Sequence, residues 1–256
     1  MKPLPPHLSP TGRIAFRTVE VVLRSLQRYH RFQVEGWEGV DPLGASRAAM
    51  IVGNHSLATY DAMLLGVSMY DRWGRFPSPI LDRAVLGTPV VGDALREVGF
   101  IDGDRSAIVD ALRGGNMVAV SPGGMRESLR PSTRKRQVDW SGRTGFVRVS
   151  MLAGAPIVLA ACPRGDDIFD VRESRLTNLV YRHTKLPLPI MLGWGPTLLP
   201  RPIPLTTYLS APIPSPVPAD EVTDDAVAEH HRFLTAAMNR FLEESYEREL
   251  VRCRPR

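Results

Sequence analysis

Apolar and polar positions along this chain switch between two periods, and the switching predicts its elements. Short continuous apolar runs, at residues 48–52, 117–120 and 155–161, read as buried strands. Shorter strands are expected at 32–38, from Ile80, at 100–105 running into a turn, and at 205–210, where Pro212 ends the run. Helical spacing covers 61–73, closed by Gly74, then about 87–98, 106–113, stopped by Gly114 and Gly115, and 145–153. A last helix runs from about Asp225 to Val251, capped by Thr223 or Asp224, with an apolar stripe through Val227, Leu234, Met238, Phe241 and Leu242. The segment Gly39-Val40-Asp41-Pro42 reads as a turn and 165–170 as a loop. Prolines scattered among Leu, Ile, Met and Trp194 make regular structure unexpected over 186–204. That stretch reads as a cover over the core or as a lip that touches lipid. Strands alternate with helices, and neither a repeat nor a linker interrupts them. The expectation is one α/β domain with a mixed central sheet flanked by helices.

The N-terminal part differs. Residues 1–10 hold four prolines and predict an extended arm. From residue 13 to 31, Arg13, Arg17, Arg24, Arg28 and Arg31 share one face of a helical wheel. Ala15, Phe16, Val19, Val22, Leu23, Leu26 and Tyr29 fall opposite. Such a helix either packs on its own core with solvated arginines or lies on an anionic membrane surface. The chain thus divides into an arm and amphipathic helix, 1–32, and a main domain, 33–251.

Charge narrows the partners. The chain has 32 Lys+Arg against 27 Asp+Glu in 256 residues. Lysine occurs only at Lys2, Lys135 and Lys185, so the excess is arginine, which suits bidentate phosphate contacts. Nucleic acid, anionic headgroups and phosphate-bearing small molecules all fit a basic balance. The arginines lie on an amphipathic helix and near a Gly-Gly turn without interleaved aromatics, which argues against nucleic acid. Cys162 and Cys253 are too few and too scattered for a disulfide framework or a metal site. No signal peptide and no apolar run of transmembrane length are seen, and nothing conflicts with a reducing cytoplasm.

Two stretches carry candidate chemistry. Gly53-Asn54-His55-Ser56 follows the first buried strand, and Asp61 enters the next helix. Imidazole titrates near pH 6.5, so a neutral base is available, and a carboxylate can orient it. No protein nucleophile lies nearby, which suggests that His55 activates a substrate hydroxyl directly. The second stretch, Ser121-Pro122-Gly123-Gly124-Met125-Arg126-Glu127, follows another buried strand. Two glycines let a ligand approach the main chain and leave N–H groups to point at an anion. It lacks the flanking glycines of a nucleophile elbow and the Gly-Lys-Ser/Thr of a Walker loop. The two stretches together suggest acyl transfer: His55 takes a proton from an alcohol, the alcohol attacks an acyl carbon, and N–H groups hold the oxyanion.

Four blocks then resemble, in order and spacing, the lysophospholipid/glycerol acyltransferase superfamily (PlsC-like). They are Asn54 to Asp61, Phe100 to Arg105, Ser121 to Glu127, and Ala155-Pro156-Ile157-Val158. Five residues separate His55 from Asp61 where the hallmark has four, and Gly123 stands where the usual Phe-Pro-Glu-Gly-Thr-Arg-Ser block has Glu. Both departures, with the Pro-Gly-Gly-x-x-Glu pattern of Pro122 to Glu127, resemble the branch of transmembrane-protein-68 and diacylglycerol acyltransferase-2-like proteins. The resemblance implies the glycerolipid acyltransferase fold and an acyl-CoA:alcohol O-acyltransferase, with acyl-CoA as co-substrate and no resident cofactor or metal. It implies a lipid alcohol acceptor and a membrane surface as partners, with peripheral attachment at the cytoplasmic face as the expected location. His55 is then the general base and Asp61 its orienting partner. Gly123, Gly124, Arg126 and Glu127 line the acceptor pocket, Arg105 touches phosphate, and Asn54 fixes the His55 loop. Arg134, Lys135 and Arg136 either meet the CoA phosphates or form a solvated loop. A lysophosphatidic acid acceptor and a non-catalytic lipid- or acyl-CoA-binding protein stay open as alternatives.

Overall fold

The computed structural model describes residues 10–44, 47–56, 60–81, 86–88, 91–128, 130–172 and 190–252. Its centre is a seven-stranded mixed sheet. The strands of the main run are β2 (Ala49–Gly53), β3 (Ser78–Leu81), β4 (Ile101–Asp102), β5 (Met117–Val120) and β6 (Ile157–Ala161). All five are parallel, in the spatial order β6-β2-β5-β3-β4. β9 (Thr206–Leu209) joins β6 antiparallel, and β1 (Gln33–Glu35) closes that edge parallel to β9. The expected mixed sheet flanked by helices is what forms.

The apolar runs make this sheet because both of its faces are covered. Met50 and Val52 of β2 point to one side with Val118, Ile157 and Leu159, into a core closed by three helices. These are α5 (Arg105–Arg113), α7 (Gly145–Ala153) and α8 (Asp224–Arg252). Ala49 and Ile51 point to the other side with Met117 and Val158, against α2 (Trp37–Gly44) and α3 (Tyr60–Trp73). The two-residue alternation along each strand feeds two cores, and the strand therefore reads as continuously apolar.

Three expectations need correction. The predicted turn at Gly39–Pro42 lies inside α2, which tolerates Pro42 near its C-terminal end. Val40 and Leu43, three apart, bury under the sheet, and Asp41 accepts from Trp73 Nε1 at 2.9 Å. The Pro-rich 186–204 segment carries a short strand, β8 (Ile190–Leu192), which pairs antiparallel with β7 (Asp170–Arg172). The strand expected over 100–105 is only Ile101–Asp102, because Asp104 caps α5 by accepting the Ala107 N–H at 3.2 Å.

At the N-terminus, α1 (Pro10–Tyr29) begins on a proline, where a missing N–H costs nothing. Residues 1–9 of the expected arm lie outside the described residues. α1 packs on α3 through Phe16 and Leu23, and Phe16 meets Tyr70 and Phe76 edge-on. The arginine face is not simply solvated: Glu20 is buried between Arg17 and Arg24, at 2.7 Å from each, and Arg24 also bonds Asp71. Ile14, Val21 and Val22 stay exposed on the outer side. None of the described helices is long and apolar enough to cross a membrane.

Candidate active site

The connections set where a site can form. After β2 the chain turns to α3 on one face. After β5 it turns through α6 (Gly124–Ser128) to α7 on the other. β2 and β5 are neighbours, with Val52 opposite Val120. A crevice opens at the carboxyl ends of adjacent strands whose loops leave in opposite directions. It falls between the His55 loop and the Pro122-Gly123-Gly124 turn.

The His55 loop is fixed from three sides. Asn54 is buried and clasps the end of β6: its Oδ1 accepts the Cys162 N–H at 2.9 Å and its Nδ2 donates to the Cys162 carbonyl at 3.3 Å. The His55 N–H donates to Glu127 Oε1 at 2.7 Å, and Arg130 Nη1 reaches the His55 carbonyl at 3.4 Å. The ring Nδ1 lies 3.1 Å from the Ser56 carbonyl oxygen. A carbonyl only accepts, so Nδ1 carries the proton and Nε2 presents its lone pair. Burial pushes the imidazole below its ordinary pKa, and the charges of Arg130 and Arg143 press the same way, against the Ser56 carbonyl and Asp166. The ring is neutral near pH 7.

Asp61 is placed differently from the direct pair expected. Its Oδ1 accepts from the Ser56 hydroxyl at 2.6 Å, and both residues are buried. Ser56 therefore stands between the two groups: its carbonyl meets the histidine and its hydroxyl meets the aspartate. Residues 57–59 of the motif lie outside the described residues. Burial raises the Asp61 pKa to about 6, with Asp166 adding to the rise and the Ser56 hydroxyl opposing it.

Glu127 is turned inward. Its carboxylate is 1% exposed, accepts the Asp139 N–H at 3.0 Å as well as that of His55, and lies 3.4 Å from Arg130. It braces the His55 main chain rather than presenting its oxygens to a pocket. This explains Gly123: a Cβ there would meet Glu127 Oε2 at 2.1 Å. The glycine makes room for a carboxylate of its own chain. Gly124 adopts φ +55°, and a Cβ on it would press Arg143 Nη1 at 2.9 Å. The carbonyls of Pro122 and Gly123 accept from that same Nη1, the first at 2.8 Å.

The remaining candidates scatter. Arg126 lies in α6, but its side chain is outside the described residues. Arg105 starts α5 beyond the end of β4, three strand spacings from β2, about 14 Å. It is exposed on the same carboxyl edge, at its rim. Of the basic run, Lys135 bonds Asp167 at 2.8 Å, and Arg136 lies 3.6 Å from Asp167 with its guanidinium over Tyr246. Asp166 holds Arg130. These pairs span about thirty residues of sequence, which is why a local reading shows a basic run and misses its counter-charges. The sequence reading also missed Ser56 and Arg143 at the site. The signal for Ser56 was a hydroxyl placed between the two motif residues.

A family model described as acyltransferase matches residues 31–162, slightly more than half of the chain, and the chain belongs to that family. It is 26% identical over 198 residues to a Gallus gallus protein named "DGAT1/2-independent enzyme synthesizing storage lipids", covering 76% of this chain and 56% of that one. The Bos taurus protein of the same name is 28% identical over 225 residues, covering 84% and 64%. The chain thus spans somewhat over half the length of these relatives. Among solved structures, the 1-acyl-sn-glycerophosphate (LPA) acyltransferase PlsC from Thermotoga maritima superposes with a TM-score of 0.55 at 14% identity, over 92% of this chain and 81% of that one. The fold is shared.

Proposed function

We propose that the protein is an acyl-CoA-dependent O-acyltransferase that moves a fatty acyl group to a lipid alcohol, working at a membrane surface. The observation that carries this reading is the state of His55: neutral, tautomer fixed by the Ser56 carbonyl, Nε2 without a hydrogen-bond partner among the described residues. Nε2 takes the hydroxyl proton of the acceptor as its oxygen attacks the thioester carbonyl. The C–S bond breaks, and the leaving thiolate receives that proton from the imidazolium, giving free CoA thiol and a neutral ring. Asp61 acts through Ser56, whose hydroxyl it holds while the carbonyl of the same residue holds the ring. An acyl-enzyme is disfavoured at Ser56 and at Cys162. Ser56 is fully buried and donates to Asp61, and the Cys162 thiol is buried with its pKa pushed up. The storage-lipid relatives favour a neutral glycerolipid acceptor.

The test is CoA release from a long-chain acyl-CoA against monoacylglycerol, diacylglycerol, a long-chain alcohol and lysophosphatidic acid. We expect release with a neutral acceptor, and a loss of about 10²- to 10⁴-fold in His55→Ala. Because burial lowers the His55 pKa, the acid limb of kcat/KM, where the ring protonates, should lie below the ordinary imidazole value near 6.5. Full activity in the variant would sink the assignment of the base. Release confined to lysophosphatidic acid would move the acceptor to the phosphorylated class.

A further inference from the structure

The basic side chains at the carboxyl edge are not equivalent. Arg130 is 10% exposed, with Nη2 on Asp166 and Nη1 on main-chain carbonyls. Lys135 and Arg136 are held by Asp167. Arg143 differs from all three. It is exposed, and among the described residues no carboxylate pairs with it. Among the described residues only its Nη1 is engaged, on the carbonyls of Pro122 and Gly123, which leaves Nη2 and Nε without a partner there. Two carbonyls fix the planar guanidinium on the turn opposite the His55 loop, so its free edge is pre-oriented. Its charge is felt at the His55 ring. On the inner side, Arg130 Nε is buried without a partner among the described residues.

A fixed, uncompensated guanidinium at the mouth of a crevice is complementary to a phosphate, through two N–H donors and a full charge. We infer that Arg143 is the phosphate-binding residue of this site, gripping a phosphate of the acyl donor or of the acceptor headgroup. The inference rests on the acyltransferase reading for its choice of ligands. It also revises the role of the Pro-Gly-Gly turn: the turn shows its carbonyls outward, and Arg143 covers them and turns that edge cationic.

The probes are CoA and glycerol 3-phosphate, titrated calorimetrically into the full chain and into Arg143→Ala and Arg143→Lys. We expect Arg143→Ala to weaken the bound probe by about 10- to 100-fold, the range for a lost charged hydrogen-bonding partner. Arg143→Lys should recover part of it, having charge without the fork. Weaker CoA binding assigns the donor phosphate; weaker glycerol 3-phosphate binding assigns the acceptor's. In turnover, acyl-CoA is paired with acyl-pantetheine and lysophosphatidic acid with monoacylglycerol, so each pair differs in phosphate. The rise in KM should be larger for the phosphorylated member of the assigned pair. An equal loss within both pairs marks a displaced turn and overturns the inference. So does unchanged affinity in Arg143→Ala, or binding of neither probe by the parent protein. Anion binding without turnover on any acceptor would instead count against the catalytic reading and leave Arg143 in place.

Discussion

At the scale of single residues, the tension lies at Asp61. A fully buried carboxylate with one hydroxyl donor and nearby main-chain N–H groups is under-compensated, and its pKa stands at about 6 against an ordinary 3.8. The folded state therefore binds this proton more tightly than the unfolded chain. The resulting stability is fully present below pH 4 and is lost as pH rises through 6. At pH 7.5 the charged form costs about 3 kcal/mol, at 1.36 kcal/mol per unit. Asp61→Asn removes the charge and keeps an oxygen for Ser56. We expect the variant to be more stable by up to about 3 kcal/mol at pH 7.5, with the gain shrinking toward zero at pH 4, while turnover falls. Urea unfolding of both proteins across pH 4–8 checks this; a difference that does not vary with pH would refute the assignment. His55, Asp61 and the Gly123-Gly124 pair were legible in the sequence because chemistry and spacing mark them. What Glu127 does was not. It lies 72 residues from His55, and only the folded chain shows that its oxygens brace that residue's N–H and need the space a side chain at 123 would take.

Among elements, the junction that matters joins α1 to the start of α3. His30, wholly buried just past α1, places Nδ1 2.9 Å from the Ile203 carbonyl, so that nitrogen carries the proton. Its Nε2 then accepts from the Tyr60 hydroxyl at 2.9 Å. Tyr60 is the first residue of α3 and Asp61 the second. One imidazole thus ties the N-terminal helix, the 200–205 segment and the aspartate's helix turn. Tyr60→Phe should cost about 1–3 kcal/mol, because it strands a buried acceptor. Adding His30→Leu should cost less than the sum of the single changes, since either change alone already breaks the His30–Tyr60 bond, while the Ile203 carbonyl loses its donor equally in both proteins that lack His30. Additive losses in denaturant melts would show that the two side chains act independently. The helices and strands with clear periods, such as α3, α8 and β2, were readable because each has one dominant burial demand. α2 was not, because Gly39 and Pro42 signal a turn locally, while the burial of Val40 and Leu43 decides the outcome. β7 and β8, three residues each, are too short to show any period.

Over the whole molecule, exposed apolar side chains stand on α1, after β8 and, as Phe233, Leu250 and Val251, on α8. Ile14, Val21 and Val22 on α1 and Trp194, Leu198 and Leu199 after β8 are each 54–70% exposed. The two segments are tied where the Tyr29 hydroxyl donates to the Pro200 carbonyl at 2.7 Å. Exposed Arg28 and Arg31 stand at the same end of the helix. Apolar side chains rimmed by arginine, with a tryptophan among them, match an anionic bilayer surface. The patch also lies one step from the chemistry, through Tyr29, His30 and Tyr60 to Asp61. On the proposed function, a lipid acceptor moving in the bilayer plane would arrive at the carboxyl edge of the sheet without crossing water. The protein should float with vesicles containing phosphatidylserine, less with neutral vesicles and less at high salt. Val21→Glu with Trp194→Ala should abolish flotation while the thermal melt stays cooperative. Arg28→Gln and Arg31→Gln should each weaken it about fivefold, near 1 kcal/mol per charge. If the apolar double variant floats as well as the parent, the bilayer contacts another face, and the acceptor must reach His55 by a path that avoids α1.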